Sequence, residues 1–299
     1  MIRTPPLKQL QYFLALTETE HFGRAAERCF VSQSAFSNAI RELEEGLGAE
    51  LVDRTNRSVT ITATGHEVAV QARLVVRDVE ALIETARGDD EPLTGELRLG
   101  IIPTIAPFLL PGALPRLREA YPDLDLLLAE DQTERVYARL MEGDLDLLLL
   151  ALPWAMRGVE EMPLFRDRFC LACREGTTRV DPENYRYNRL DADSILLLED
   201  GHCLREHALA ACKLRDTEKV RRFGASSLLT LIEMVDADLG ITFLPEMARD
   251  STLLRNTRVK LWPMGEKSFR TIGLVWRKGS RRDAEFRQLG EFFREQRPS

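Results

Sequence analysis

A chain of 299 residues has room for two or three domains. With 44% hydrophobic and 30% charged residues it has an ordinary globular composition, and the lack of a run of eighteen apolar residues argues against a membrane span. The net charge of −7 argues against general polyanion binding but allows a small DNA-binding module. The N-terminus lacks the apolar core of a signal peptide, so we expect a cytoplasmic location.

The first part of the chain predicts three short helices. Apolar residues recur at helical spacing from Leu7 to Leu16, and a shorter apolar face runs from Ala25 to Cys29. Ser32 is a suitable N-cap for a third helix, over residues 33–43. The side chains of that helix expected to face inward are Phe36, Ile40 and Leu43.

Two short helices joined by a tight turn, the second carrying polar side chains near its start, are typical of a helix-turn-helix. Such side chains can reach base edges and phosphates. Residues 51–61 predict a two-stranded wing with arginines at its tip. The predicted DNA contacts are Ser32, Gln33, Ser34, Ser37, Asn38, Arg41, Arg54 and Arg57. From pattern alone, a solvated helix in an ordinary bundle is the alternative.

The same segment resembles the N-terminal signature of LysR-type transcriptional regulators over residues 22–28, 31–37, 40–44 and 51–54. One departure is Cys29, which stands where the family usually has leucine and which we interpret as a small buried hydrophobe. The resemblance implies a winged helix-turn-helix domain over residues 5–62 and promoter DNA as its partner.

A linker helix is predicted next, over residues 63–92 with its hinge. Thr64 and Glu67 match a capping box. Apolar residues then alternate at spacings of four and three, which is typical of a helix that pairs with another helix. This seam comprises Val68, Ala72, Val75, Val79, Leu82 and Ala86. We expect dimerisation through the seam, the alternative being a helix packed only on its own domain. The resemblance also implies a tetramer and contact with RNA polymerase.

From residue 93 onward, strands alternate with helices, which predicts mostly parallel α/β units. Strands are expected at 97–102, 124–129, 145–151, 169–173, 195–199, 220–223, 241–244 and 271–276, and helices at 106–120, 134–142, 228–235 and 281–294. Two subdomains joined by crossing strands would leave a ligand cleft. We assign subdomain I to residues 93–166 and 270–299 and subdomain II to residues 167–269.

Residues 223–227 and 239–245 resemble the LysR effector domain, which is related in fold to periplasmic binding proteins. The expected fold class is therefore an α/β effector domain of two Rossmann-like subdomains, preceded by an all-α winged helix-turn-helix and a linker helix.

Five cysteines are present, and an odd number without a signal peptide does not indicate a disulfide framework. Cys170 and Cys173 have the spacing of half a zinc site. However, residues 169–173 predict a buried strand, in which positions three apart point to opposite faces. We therefore predict no metal and no other cofactor.

Residues 200–205 with Cys212, together with segments 102–104 and 269–275, resemble the OxyR-type hydrogen peroxide regulators of the LysR family. The resemblance implies that Cys203 is the peroxidatic and Cys212 the resolving cysteine. Peroxide attack requires the thiolate, which the adjacent His202 or a nearby cation would favour. The implied pocket comprises Thr104, Thr133, His202 and Arg270. Either threonine could instead cap a helix, and the arginine could lie on a sheet edge.

Residues 204–211 are strongly helix-forming. A helix would separate Cys203 from Cys212 by roughly 13 Å, whereas a disulfide requires Cα atoms within about 7 Å. We therefore expect this segment to refold when the bond forms, as a switch requires. The predicted function is a non-enzymatic transcriptional regulator that senses hydrogen peroxide and activates oxidative-stress genes. The alternatives are a LysR regulator that responds to a small metabolite and, from another class, a thiol peroxidase.

Overall fold

The computed structural model describes residues 4–54, 59–87, 92–211, 219–221 and 224–297. The chain divides into two units, one up to residue 91 together with 141–144, and one comprising 92–140 and 145–299. None of the helices within the described ranges has both the length and the apolarity that a membrane crossing requires.

The N-terminal unit consists of three packed helices, a small hairpin and a long helix. Its elements are α1 (Leu7–Thr19), α2 (Phe22–Arg28), α3 (Gln33–Leu47), β1 (Val52–Arg54), β2 (Val59–Ile61) and α4 (Ala63–Arg87). Phe36, Ile40 and Leu43 are fully buried, which confirms the predicted inner face of the third helix. Strands β1 and β2 pair antiparallel and form the predicted wing, whose tip at 55–58 lies outside the described residues.

The cap of helix α4 differs from the prediction. The helix begins at Ala63, and Gly65 donates its backbone N–H to Thr62 Oγ1 at 2.9 Å, so Thr62 caps the helix instead of Thr64. The Thr62 hydroxyl also donates to the Glu50 carbonyl at 2.8 Å, which ties it to the segment before β1. A capping pattern that considers only neighbouring positions cannot predict this long-range hydrogen bond.

The apolar seam of α4 divides into two parts. Ala72 is buried and Val68 is partly buried against the core of the N-terminal unit. Val75 and Leu82 are 45% and 56% exposed. The first part of the seam thus packs on its own domain, as the alternative interpretation held, whereas the later part leaves large apolar side chains exposed. Pairing with a second copy through that part stays a prediction.

The second unit is a mixed α/β structure. Its longer elements are β3 (Gly95–Ile101), α5 (Ala106–Ala120), β4 (Leu124–Glu130), α6 (Thr133–Met141), β5 (Leu147–Leu152), β6 (Val159–Arg174), α7 (Cys203–Ala211), α8 (Leu228–Asp236), β7 (Thr242–Pro245), α9 (Thr252–Arg255), β8 (Val259–Pro263), β9 (Phe269–Arg277) and α10 (Asp283–Glu295). The seven strands follow the order β4-β3-β5-β9-β6-β7, with β8 also paired to β6.

Two long antiparallel strands connect the halves of this unit. β3 is parallel to β4 and β5, but β9 is antiparallel to β5 and β6, and β6 is antiparallel to β7 and β8. The expectation of parallel pairing is therefore wrong for the strands that pair with β6, whereas the bridges from Ile195 to Val220 and Ile241 are parallel as expected. β6 begins at Val159 rather than at residue 169, because it pairs with β9 along most of its length.

The weakest strand predictions fall in the second half. Ile195 and Leu198 form isolated bridges rather than a continuous strand, and residues 222–223 of the strand predicted at 220–223 lie outside the described chain. Strand β8 was not predicted. Its alternation of a buried Val259 with an exposed Lys260 was the available signal.

Candidate redox site and DNA-binding face

Cys203 is the first residue of helix α7 and is 2% exposed. The turn before it depends on Gly201, whose φ of +92° is one that residues with a Cβ rarely adopt. A Cβ at this glycine would lie 2.7 Å from Gln132 Oε1, just before α6. The glycine therefore lets the start of α7 approach the start of α6, and a helix N-terminus favours a thiolate.

A small pocket surrounds the Cys203 thiol and is built from both halves of the second unit. It is lined by Ile102, Pro103, Thr104, Gln132, Thr133, Gly201, His202 and Cys203. Thr104 and Thr133 are each 1% exposed and His202 is 8% exposed. The structure thus brings three of the residues predicted for the peroxide pocket together with Cys203, and Arg270, the fourth, joins them through Thr104.

Neither threonine hydroxyl caps a helix. Thr104 Oγ1 accepts a hydrogen bond from Arg270 Nη1 at 3.0 Å. Thr133 Oγ1 is buried and has no hydrogen-bond partner of ordinary geometry among the described residues. Both hydroxyls lie close enough to the Cys203 thiol to lower its pKa. A buried hydroxyl without a well-formed hydrogen bond is costly, so Thr133 is an under-satisfied polar group of this closed pocket.

Arg270 is a central buried residue and not an exposed edge residue. Its side chain is 0% exposed, and its Nε donates to Asp167 Oδ2 at 2.9 Å. Its Nη2 donates to the Thr104 carbonyl at 2.8 Å and contacts Met247 Sδ at 3.5 Å. The sequence interpretation missed Asp167 and Met247. A charged residue beside the apolar run of β6 was the available signal for Asp167.

The Cys203 thiol is not acidic in this state. Burial raises its pKa, and this effect outweighs the lowering by Arg270 and by the Thr133 and Thr104 hydroxyls, while Glu206 raises it further. Arg270 acts in the predicted direction, but the lost hydration of a buried sulfur anion is the larger effect.

His207 was also missed. It lies one helical turn after Cys203 on α7, and its Nε2 is 3.3 Å from the Pro153 carbonyl. Its Nδ1 is buried without a hydrogen-bond partner in the described chain. Burial, and secondarily the charge of Arg270, lower the pKa of His207, so the neutral ring is favoured. The spacing of four residues from Cys203 on a predicted helix was the signal.

The other four cysteines are Cys29, Cys170, Cys173 and Cys212. Cys170 and Cys173 are buried in β6, and burial raises their thiol pKa values to about 11 and about 12. No group of His, Cys, Asp or Glu residues that could hold a metal occurs in the part of the chain that the structure describes. Cys29 is half-buried against the N-terminal core. Cys212 lies outside the described residues, but α7 confirms the helix predicted at 204–211.

The predicted DNA-binding face is the start of helix α3. Five of the eight predicted DNA contacts are exposed there: Ser32, Gln33, Ser34, Asn38 and Arg41. Ser37 is half-buried, and the side chain of Arg54 and the whole of Arg57 lie outside the described residues. Glu44 Oε1 accepts the backbone N–H groups of Leu51 and Val52 at 2.9 and 3.1 Å, which fixes the wing to α3.

Replacing Ser32 by alanine should weaken the helix-turn-helix. Ser32 Oγ accepts the Ala35 N–H at 3.3 Å, and loss of such a cap costs about 1 kcal/mol. Chemical denaturation followed through the N-terminal unit measures this loss. Gln33→Ala is the matched control, since Gln33 is exposed at the start of the same helix and is not its cap, whereas Ser34 Oγ lies 3.2 Å from Ser32 Oγ. Equal stability of the two variants would contradict the capping role.

The fold and the two sites define the class: a winged helix-turn-helix DNA-binding protein with an α/β effector domain. The profile described as bacterial regulatory helix-turn-helix protein, lysR family, matches residues 7–66, and that of the LysR substrate binding domain matches residues 90–298. The chain belongs to the LysR family of transcriptional regulators.

The relatives and solved structures that are similar to this chain include several OxyR proteins and the regulator EstR. The chain is 40% identical to the DNA-binding transcriptional dual regulator OxyR of Escherichia coli K12, covering 96% of this chain and 94% of that protein. It is also 40% identical to the HTH-type transcriptional regulator EstR of Acinetobacter baylyi, covering 96% and 95%. A full-length OxyR variant from Pseudomonas aeruginosa matches with a TM-score of 0.82 and 31% identity, covering 98% and 95%. The reduced regulatory domain of OxyR2 from Vibrio vulnificus matches with a TM-score of 0.66 and 42% identity, covering 69% and 98%.

Proposed function

We propose that this chain is a transcriptional activator that senses hydrogen peroxide through oxidation of Cys203 to a disulfide with Cys212. The observation that carries the proposal is the buried Cys203 thiol at a helix start, in a pocket with the Thr104 and Thr133 hydroxyls and the Arg270 charge nearby. Several relatives about 40% identical over most of the chain are named hydrogen peroxide-inducible genes activators.

The chemistry balances with residues of the pocket. The Cys203 thiolate attacks one peroxide oxygen, the S–O bond forms, the O–O bond breaks, and the second oxygen leaves as hydroxide that takes up the thiol proton to become water. The Thr133 hydroxyl, which lies beside the Cys203 thiol, can donate to that leaving oxygen. The sulfenic acid then condenses with the Cys212 thiol, forming the S–S bond and releasing a second water.

The second step requires a conformational change. The eight steps from Cys203 to Ala211 along α7 span about 12 Å, beyond the roughly 7 Å that a disulfide allows. We infer that α7 unwinds or pivots, which breaks the contact of His207 with Pro153, and that the new arrangement changes the DNA contacts of the N-terminal unit. A dimer through α4, a tetramer, contact with RNA polymerase and a cytoplasmic location belong to the same proposal.

Stoichiometric peroxide followed by mass spectrometry and gel-shift assays on reduced and oxidised protein tests this function. We expect a Cys203–Cys212 cross-link and a redox-dependent change in promoter binding. Absence of the cross-link in the full chain, or an unchanged peroxide response after Cys212→Ser, would contradict the two-cysteine mechanism. Catalytic peroxide turnover that survives deletion of the first sixty residues would instead indicate a thiol peroxidase.

A response to a small metabolite is the second candidate, because EstR is as similar to this chain as OxyR is, and its name mentions no peroxide. Saturable binding of a small molecule to the effector domain, unchanged by Cys203→Ser, would favour that function. The peroxide proposal predicts that no such ligand is needed for the change in DNA binding.

A further inference from the structure

Behind the pocket lies a buried anion, bonded to Arg270, for which the proposed chemistry has no use. Among the residues whose burial is described, Asp167 and Arg270 are the only Asp, Glu, Lys or Arg side chains that are buried. A buried charge is costly, and a buried pair is weak evidence for stability, since apolar residues of similar size often do as well. The position of this pair beside the reactive thiol therefore calls for a functional reason.

The geometry fixes the carboxylate on both of its oxygens. Asp167 and Arg270 are direct cross-strand partners on β6 and β9. Asp167 Oδ2 accepts from Arg270 Nε at 2.9 Å, and Asp167 Oδ1 accepts the Met247 N–H at 3.2 Å. The two side chains are 2% and 0% exposed, so water screens their interaction little. The opposite edge of the guanidinium reaches Thr104, which lines the thiol pocket.

We propose that Asp167 sets the peroxide sensitivity of Cys203 by competing with the thiolate for the charge of Arg270. This role of Asp167 rests on the proposed function, in which Cys203 is the thiol that peroxide oxidises. While the thiol is protonated, the carboxylate and the guanidinium neutralise each other. When the thiol ionises, two buried anions share one cation, and the thiolate receives only part of its attraction.

Glu206 on α7 is the acidic group that raises the pKa of the Cys203 thiol directly, so Asp167 would act on the thiol through Arg270. Arg270 lowers the pKa of Cys203, yet burial prevails and the pKa stays raised. A buried thiolate whose sole counter-ion was Arg270 would form more readily. Asp167 thereby favours the protonated thiol, which reacts with peroxide more slowly than the thiolate does. It acts as a positioning residue through Arg270 and does not itself contact peroxide.

Asp167→Asn tests the competition without peroxide. Its amide oxygen can still accept from Arg270 Nε, but the negative charge is gone. We expect alkylation of Cys203 by iodoacetamide at neutral pH to become about tenfold faster, and its pH profile to move to lower pH. Mass spectrometry of the Cys203 peptide isolates this thiol from the others. Slower or unchanged alkylation of folded Asp167→Asn would overturn the proposal, whereas a merely structural role predicts no shift of the profile.

Two further variants show whether Arg270 mediates the effect. Arg270→Gln should alkylate more slowly than the wild type. The double variant Asp167→Asn/Arg270→Gln contains no unpaired buried charge, and it should alkylate at about the rate of Arg270→Gln, because no cation is left for Asp167 to compete for. If the double variant alkylates about tenfold faster than Arg270→Gln, Asp167 acts without Arg270 and the competition is wrong, even should the single Asp167 variant fail to fold.

A matched control and a separate readout complete the test. Glu96 pairs with Arg98 at the surface, so Glu96→Gln should leave the alkylation profile unchanged. A shift of that profile equal to the Asp167→Asn shift would overturn the specific role of Asp167. Alkylation needs no peroxide, so its outcome does not depend on whether a Cys203–Cys212 disulfide forms. Absence of that disulfide in the wild type would overturn the proposed function but not the competition for Arg270.

Discussion

Replacing Cys203 by serine should abolish the response to peroxide completely. A serine hydroxyl is not a nucleophile towards the peroxide O–O bond at neutral pH, and no sulfenic acid can form. The substitution is nearly isosteric, so the pocket of Thr104 and Thr133 should keep its shape and the reduced fold its stability. Reduced and peroxide-treated Cys203→Ser should then give the same gel shift and the same tryptic map.

Variants of the other cysteines distinguish the oxidation of Cys203 from the formation of the disulfide. Cys212→Ser should still consume one equivalent of peroxide at Cys203 but should stop at the sulfenic acid, which dimedone traps. Cys29→Ala changes a half-buried thiol of the N-terminal unit and should retain the cross-link. A full transcriptional response from Cys203→Ser would contradict the sensing role, and trapping of sulfenic acid at Cys170 or Cys173 would move that role elsewhere.

Replacing Arg270 by glutamine should have the largest effect on stability. It leaves the buried Asp167 carboxylate without its cation, and breaking a buried pair in this way costs about 3 to 5 kcal/mol. Chemical denaturation of the reduced protein measures the loss. Arg98→Gln breaks an exposed pair and should cost no more than about 1 kcal/mol. A similarly small loss for Arg270→Gln would contradict the structural importance of the buried pair.

The stability loss of Arg270→Gln should also depend on pH in a defined direction. Burial raises the pKa of Asp167, and Arg270 is the main influence that lowers it. Without the arginine, the carboxyl pKa in the folded protein lies well above its unfolded value, so the variant loses stability as pH rises through that folded pKa. The difference from the wild type should therefore shrink on acidification, and adding Asp167→Asn should recover part of it at neutral pH.

Local sequence signals predicted the helices well. The N-cap at Ser32, the inner face of α3 and the helix at Ala106–Ala120 depend on residues within a few positions of one another. The linker cap shows where such signals fail. Thr64 matched the local pattern, but Thr62 caps the helix because its hydroxyl also bonds Glu50 across the wing.

The sequence by itself determined the family, the order of most elements and which cysteine we propose as the reactive one, because motifs and periodicity are local. Only the tertiary structure decided the surroundings of that cysteine. Asp167 and Arg270 are 103 positions apart and meet through the register of β6 and β9. His207 and Pro153 meet across α7 and the end of β5. The burial that raises the Cys203 pKa is likewise collective, since it arises from residues of both halves of the effector domain and not from the residues beside the thiol in the chain.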